Sequence, residues 1–105
     1  MIDWSRIADL KSEIGDEDFA EVVDMFLEEV EEVIDKLRTA PVKSELENDL
    51  HFLKSSALNL GFSEFARLCS EGERAAAAGD GVTLGPVIDC YLASKADFAL
   101  GERVN

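Results

Sequence analysis

Residues 19–37 read FAEVVDMFLEEVEEVIDKL, and their apolar positions recur with the spacing of an α-helix. The repeat i, i+3, i+4, i+7 is kept over about five turns, which places one apolar stripe on a single face. The glutamates Glu28, Glu29, Glu31 and Glu32 occupy the other sides, and we expect them to form a solvated helix face. The stretch therefore predicts a long amphipathic helix that packs on a core.

The residues on the amino-terminal side of this stretch predict a short leading helix. Asp3 is placed to cap a helix that runs to about Ile14 and ends at Gly15. Asp16 is then placed to cap the long second helix. Pro41 ends that second helix, because proline disfavours the helical conformation at the residue before it.

Three further helices are predicted after the proline. Ser44 and Glu47 match a capping box at the start of a third helix, which ends at Gly61. A fourth helix begins near Ser63, and a fifth begins at about Thr83. No segment alternates with the period of a strand. The fold class is therefore all-α, and we expect an antiparallel four-helix bundle with a short additional N-terminal helix, in one domain over residues 1–105.

Composition excludes several classes of function. With 10 Lys and Arg against 23 Asp and Glu, the net charge is −13, which disfavours binding to nucleic acid or to an anionic membrane. No apolar run approaches the roughly 18 residues of a membrane span, and the first residues do not resemble a signal segment. We expect a cytoplasmic monomer. The two cysteines, Cys69 and Cys90, are interpreted as small buried hydrophobic residues, and no metal site is predicted.

The chain contains one histidine, His51, in the third predicted helix. The core stripe of this helix consists of Leu46, Leu50, Leu53, Ala57 and Leu60. On a helical wheel His51 lies about 140° from the middle of that stripe, with Ser55 about 180° and Leu58 about 120° from it. Lys54 lies at about 80°, on the same side as His51. An exposed imidazole is largely neutral near pH 7 and can act as a nucleophile, and a lysine beside it can screen a phosphoryl group.

Residues 51–61, HFLKSSALNLG, resemble the signature of histidine phosphotransfer (HPt) domains. That signature has a histidine, a leucine two positions later, an adjacent lysine, a run of small residues and a final glycine. Residues 26–37 resemble the family's second helix, and residues 65–80 resemble its fourth. The chain departs from the family at Ser55, where glycine is commonest, and because serine is also small we expect activity to survive.

The resemblance implies the function and the roles of the site residues. His51 would be the phosphoacceptor through its Nε2 atom, Lys54 an electrostatic helper and Ser55 a small neighbour able to hydrogen-bond the phosphoryl group. Phe52 and Leu58 would lie in the docking surface. The implied partners are a histidine kinase and the receiver domain of a response regulator. The chain would have no cofactor of its own and no autonomous catalysis, and Mg²⁺ would be bound by the partner receiver domain.

Other interpretations remain open at this stage. The chain could be the N-terminal phosphoacceptor module of a chemotaxis-type histidine kinase, although its capped ends favour a free-standing protein. It could also be a helical adaptor that binds receiver domains without being phosphorylated. A di-iron carboxylate enzyme is disfavoured, because such bundles use a Glu-x-x-His motif on two helices and this chain has one histidine.

Overall fold

The computed structural model describes the backbone of residues 2–104 and the side chains of residues 2–101, so the predicted domain extends one residue beyond it at each end. The described chain is all-helical. It has five α-helices and a one-turn 3-10 helix, Lys43–Glu45, and no strand within residues 2–104. No helix in this range has the length and apolar character needed to cross a membrane. The α-helices are α1 (Trp4–Ile14), α2 (Asp16–Thr39), α3 (Leu46–Leu60), α4 (Ser63–Ala77) and α5 (Leu84–Val104).

The ends of α1 form largely as the sequence predicts. The Asp3 carboxylate accepts a hydrogen bond from the backbone N–H of Arg6 at 3.2 Å, and Gly15 ends the helix with φ +85°. The prediction that Asp16 caps α2 is wrong. Asp16 is the first residue of α2, with Glu17 and Asp18 beside it in the first turn. There these carboxylates stabilise the helix through its dipole.

The predicted capping box at the start of α3 is also wrong. Ser44 lies within the 3-10 turn, and α3 begins at Leu46 without a side-chain cap. The physical reason is a competing ion pair. Lys36 of α2 binds the carboxylates of Glu45 and Asp49, which holds the chain before α3 in a tight turn. The side chain of Glu47 is exposed.

The core is built from one buried face of every helix. In α3 the predicted stripe is confirmed, with Leu50 and Leu53 fully buried and Leu46 partly buried. Aromatic rings join the helices, and the ring of Tyr91 packs on that of Phe65 with centroids 5.4 Å apart. The largest fully buried side chains are Tyr91, Phe62, Phe65, Leu50, Leu53 and Leu60.

Both cysteines are buried free thiols, as predicted. Burial raises the pKa of Cys69 to about 12, so this thiol is neutral at physiological pH. A neutral buried thiol is a poor nucleophile, and both cysteines therefore act as packing residues.

The glutamate face of α2 is only partly as predicted, because Glu31 is not a free solvated side chain. Its carboxylate accepts a hydrogen bond from the Tyr91 hydroxyl at 2.6 Å and forms an ion pair with Lys95, both on α5. The ammonium of Lys95 and the hydroxyl of Tyr91 lower the pKa of Glu31. Glu31 therefore ties α2 to α5, whereas Glu28, Glu29 and Glu32 are exposed.

The most extensive helix contact is between α3 and α4, which are joined at Gly61. Gly61 adopts φ +73°, in the left-handed region, as its position after the third helix predicts. Its carbonyl accepts a hydrogen bond from the backbone N–H of Asp3 at 2.7 Å. A Cβ atom at Gly61 would lie 2.7 Å from the Asp3 carbonyl oxygen. Both the turn and the approach of the N-terminal segment therefore require glycine here.

We predict that Gly61→Ala lowers the free energy of unfolding by roughly 2 kcal/mol, since a left-handed alanine is strained and its Cβ meets the Asp3 carbonyl. Urea denaturation of both proteins measures the change. The control is Gly81→Ala in the loop before α5, where nothing lies within 4 Å of an added Cβ and φ is outside the left-handed region. Equal stability of the Gly61→Ala variant and the wild type would contradict the assignment.

Candidate functional site

His51 is on the outer face of α3, as the helical wheel predicts. Its side chain is 60% exposed, while Leu50 and Leu53 on either side are fully buried. A helix that buries those leucines must turn His51 outward. The imidazole is therefore accessible to a partner protein.

The other residues predicted for the site surround His51 in different ways. Lys54 is mostly shielded, with 28% of its side chain exposed. Ser55 is exposed, and Phe52 is half-buried against the core. Leu58 has an exposed fraction of 58% on the same outer face. The structure thus brings Lys54 to the histidine and leaves Ser55 and Leu58 on the open surface beside it.

The central contact of the site is made by Glu73 on α4, a residue that the sequence did not single out. Its Oε2 atom lies 2.8 Å from Nδ1 of His51, and its Oε1 atom lies 2.7 Å from Nζ of Lys54. Lys54 and, to a smaller extent, His51 lower the pKa of Glu73. Glu73 is therefore a carboxylate at neutral pH, and it bridges both residues of the motif.

A close approach of α3 and α4 brings Glu73 to this position. At Gly72, next to Glu73, a Cβ atom would lie 3.1 Å from Cδ1 of Leu50, next to His51. Because Leu50 and Gly72 lie at similar distances along the chain from Gly61, the two helices form an antiparallel hairpin. The signal in the sequence was this register, which places Glu73 two positions from the point opposite His51, within one turn of α4.

The hydrogen bond to Glu73 determines the tautomer of the neutral imidazole. An ionised carboxylate only accepts hydrogen bonds, so Nδ1 of His51 must carry the proton and donate it. The lone pair then resides on Nε2, for which no partner is found among the described residues. The site therefore presents an oriented nitrogen nucleophile, with a carboxylate behind the ring to stabilise positive charge on it.

Within residues 2–101 no three His, Cys, Asp or Glu side chains are grouped to hold a metal ion.

Comparison with known protein families identifies the chain. The model of the Hpt domain matches residues 21–97, which is more than half of the sequence and includes His51 and Glu73. The chain belongs to the Hpt domain family. Hpt domains carry phosphoryl groups on histidine in phosphorelays, and they interact with receiver domains and kinases. No curated protein and no solved structure matches the chain.

In this Hpt domain, we predict that the neutral His51 ring is mainly the Nδ1–H tautomer and that Glu73→Ala shifts it toward the Nε2–H form, because the variant removes the acceptor at Nδ1. The ¹⁵N chemical shifts of the two ring nitrogens above the titration range of the imidazole measure the populations.

Glu71→Ala is the matched control, since Glu71 is a carboxylate on the same helix that pairs with Arg67 instead. It should leave the His51 ring unchanged. A wild-type ring that is mainly Nε2–H would show that Glu73 does not set the tautomer.

Proposed function

We propose that this Hpt domain is a phosphohistidine carrier of a two-component phosphorelay. His51 accepts a phosphoryl group from a histidine kinase or from the aspartyl-phosphate of a receiver domain, and passes it to a receiver aspartate. The single observation that carries the proposal is the exposed His51 ring with Nδ1 bound and Nε2 free. Since the chain has one histidine, a phosphohistidine in this family member can form only there.

The transfer step is an in-line displacement at phosphorus. The Nε2 lone pair forms a bond to phosphorus while the bond from phosphorus to the aspartate oxygen breaks, and the aspartate leaves as a carboxylate. The ring then carries both the phosphoryl group on Nε2 and the proton on Nδ1, so it gains positive charge. Glu73, at 2.8 Å from Nδ1, stabilises that charge, and the reverse step uses the same contact.

Lys54 supports the same step from the side of the ring. Its ammonium is held 2.7 Å from Glu73, the carboxylate that also binds the His51 ring, and this contact keeps the ammonium beside the ring. There it acts as a point charge toward the phosphoryl oxygens. Ser55 is small and exposed, which leaves room for the partner, and its hydroxyl can donate a hydrogen bond to the phosphoryl group.

The chain itself provides a nucleophile and its support, and the partner provides the rest of the chemistry. Phosphoryl transfer depends mainly on positioning and charge stabilisation. We propose that the receiver supplies its aspartate, Mg²⁺ and further cationic groups, and that the Hpt domain has no autonomous catalysis. We further propose that α2–α5 form an antiparallel four-helix bundle that presents His51 on one side, with α1 at one end.

We predict that incubation with a phosphorylated receiver domain labels the wild-type chain with an acid-labile, alkali-stable phosphate, and that His51→Gln abolishes the label. The substitution should leave the helical circular dichroism spectrum unchanged, because the side chain is exposed. The measurement is transfer of ³²P from a panel of receiver domains of the source organism.

Lys54→Ala serves as the comparison variant in the same assay. It should still acquire the label, but more slowly, since it loses a positioned charge and not the nucleophile. Retention of the label by His51→Gln would refute the site. A folded wild type that no receiver or kinase labels would refute the function and favour the adaptor that binds receivers without phosphorylation.

A further inference from the structure

The last helix, α5, is apolar on two opposite faces. The side chains of its buried face are Val87, Cys90, Tyr91, Ser94 and Phe98. Each of these positions lies at least about 120° around the helix from Ala96, which marks the middle of the outer face. On that outer face Leu92 is 50% exposed and Leu100 is 62% exposed. Because a helix that is apolar all round is normally covered on every side, the outer face of α5 indicates a partner.

The exposed surface of α5 differs from that of α2 in its charge. Between positions 84 and 101, nine residues of α5 are exposed, and only Asp89 and Asp97 among them are charged. In α2, 13 residues are exposed, and nine of them are Asp or Glu. A solvated helix face is expected to resemble α2. The outer face of α5 has instead the composition of a contact surface.

The apolar residues of the outer face are arranged symmetrically about Ala96. Residues 92–100 read LASKADFAL, with a leucine at each end and an alanine next to each leucine. Leu92 and Leu100 lie about 6 Å from Ala96 in opposite directions along the helix axis, and about 40° to either side of it. Ala93 and Ala99 are related in the same way, at about 4.5 Å and 60°. The two halves of the exposed face are therefore equivalent.

This symmetry is what a second copy of the chain requires. In a twofold interface, a residue i that contacts residue j of the other copy is matched by j contacting i. When two α5 helices pack antiparallel with Ala96 at the crossing point, Leu92 of each copy lies beside Leu100 of the other. Alanine at the crossing point also lets the helix axes approach to the short end of the usual 8–10 Å range. The face is thus complementary to itself.

The distribution of charge allows a second copy to approach at this face. α5 contains two of the ten Lys and Arg and three of the 23 Asp and Glu, so its net charge is −1. Residues 1–83 carry the remaining −12. Two copies of so acidic a chain repel each other over most of their surfaces, and this repulsion is smallest where α5 meets α5. An anionic membrane would be repelled by the same surfaces.

The outer face of α5 is far from the histidine. α4 contacts one flank of α3 through Glu73 and Lys54. α2 contacts the other flank through Lys36 and Asp49. Since α5 packs mainly on α4 and α2, it lies across the core from α3. A second copy that binds to α5 therefore leaves His51 accessible in both chains.

We propose that the chain forms a weak symmetric dimer in which the outer faces of two α5 helices pack antiparallel about Ala96. This dimer replaces the monomer expected from the sequence, and it does not depend on the phosphocarrier function. Leu92 and Leu100 provide the apolar contact. The face is about 22 Å long and about 10 Å wide, which is less than the roughly 800 Å² per partner of a standard interface, so the dimer is weak.

Sedimentation equilibrium of the full chain from about 5 to 500 μM tests the association. The mass should rise from 11.5 kDa toward twice that value, with a Kd of about 100 μM at low ionic strength. Near 0.5 M salt the Kd should fall several-fold, because salt screens the repulsion between the acidic surfaces but not the apolar contact. A wild type that stays at 11.5 kDa under all these conditions overturns the proposal.

Leu92→Ala/Leu100→Ala identifies the face that associates. It should raise the dimer Kd at least about 10-fold, since it removes the apolar contact and keeps good helix formers in α5. The matched control is Met25→Ala/Val42→Ala, which truncates exposed apolar side chains outside α5 and should leave the Kd within about 2-fold of wild type. An equal effect of the two variants, or none in the α5 variant, overturns the proposal.

Disulfide cross-linking tests the register of the two helices. In Ala96→Cys the introduced thiols of the two copies face each other, so oxidation with diamide should link them into a dimer on a non-reducing gel. Ala20→Cys, at an exposed alanine of α2, is the control and should stay largely monomeric. The native cysteines are buried in both variants.

Cross-linking of Ala96→Cys no faster than that of Ala20→Cys would overturn the antiparallel arrangement. A further outcome would assign the face to a different occupant. If the wild type stays monomeric while Leu92→Ala/Leu100→Ala weakens binding of a receiver domain, the outer face of α5 belongs to that partner and the dimer is refuted.

Discussion

The site depends on the close approach of α3 and α4 at Gly72. A Cβ atom at that position would lie 3.1 Å from Cδ1 of Leu50, so the leucine side chain would have to shift by a few tenths of an ångström. With the helices this close, the side chains of His51 and Glu73 reach each other outside the core. That contact is the hydrogen bond between His51 and Glu73, which orients the ring, and the same carboxylate holds Lys54. Core packing thus sets the geometry of an exposed site.

Features that depend on one helix alone were predictable from the sequence. The wheel placed His51 outward because the leucine stripe of α3 is unambiguous, and the structure confirms it. The cap at Asp3 and the left-handed conformation of Gly61 were predictable for the same reason, because each depends on residues close in sequence. The histidine motif led to the family, which the match over residues 21–97 confirms. The roles of Ser55, Phe52 and Leu58 in transfer or docking stay predictions.

Features that depend on two helices were missed. Glu73 is far from His51 in sequence, and only the register about Gly61 brings the two together. The capping box at Ser44 failed because Lys36, on another helix, binds Glu45 and Asp49. Glu31 was read as solvated for the same reason, since its partners Tyr91 and Lys95 lie on α5. Ion pairs between helices are set by packing geometry, which a single sequence pattern does not contain.

The charges near His51 indicate what this domain and its partner would each contribute to phosphoryl transfer. Glu73 binds the lysine of the motif, and the chain as a whole carries a net charge of −13. The domain therefore offers an oriented nucleophile whose neighbouring cation, Lys54, is paired with a carboxylate. In the transfer that we propose, further cations for the phosphoryl group come with the partner, which makes transfer conditional on docking.

The most direct test of the central claim is the identity of the phosphorylated ring nitrogen. If Glu73 holds Nδ1, long-range ¹H–¹⁵N and ³¹P spectra of the phosphorylated chain should show phosphorus on Nε2 and a proton on Nδ1. Phosphorus on Nδ1 would contradict the account, because that atom would have to leave Glu73 to react.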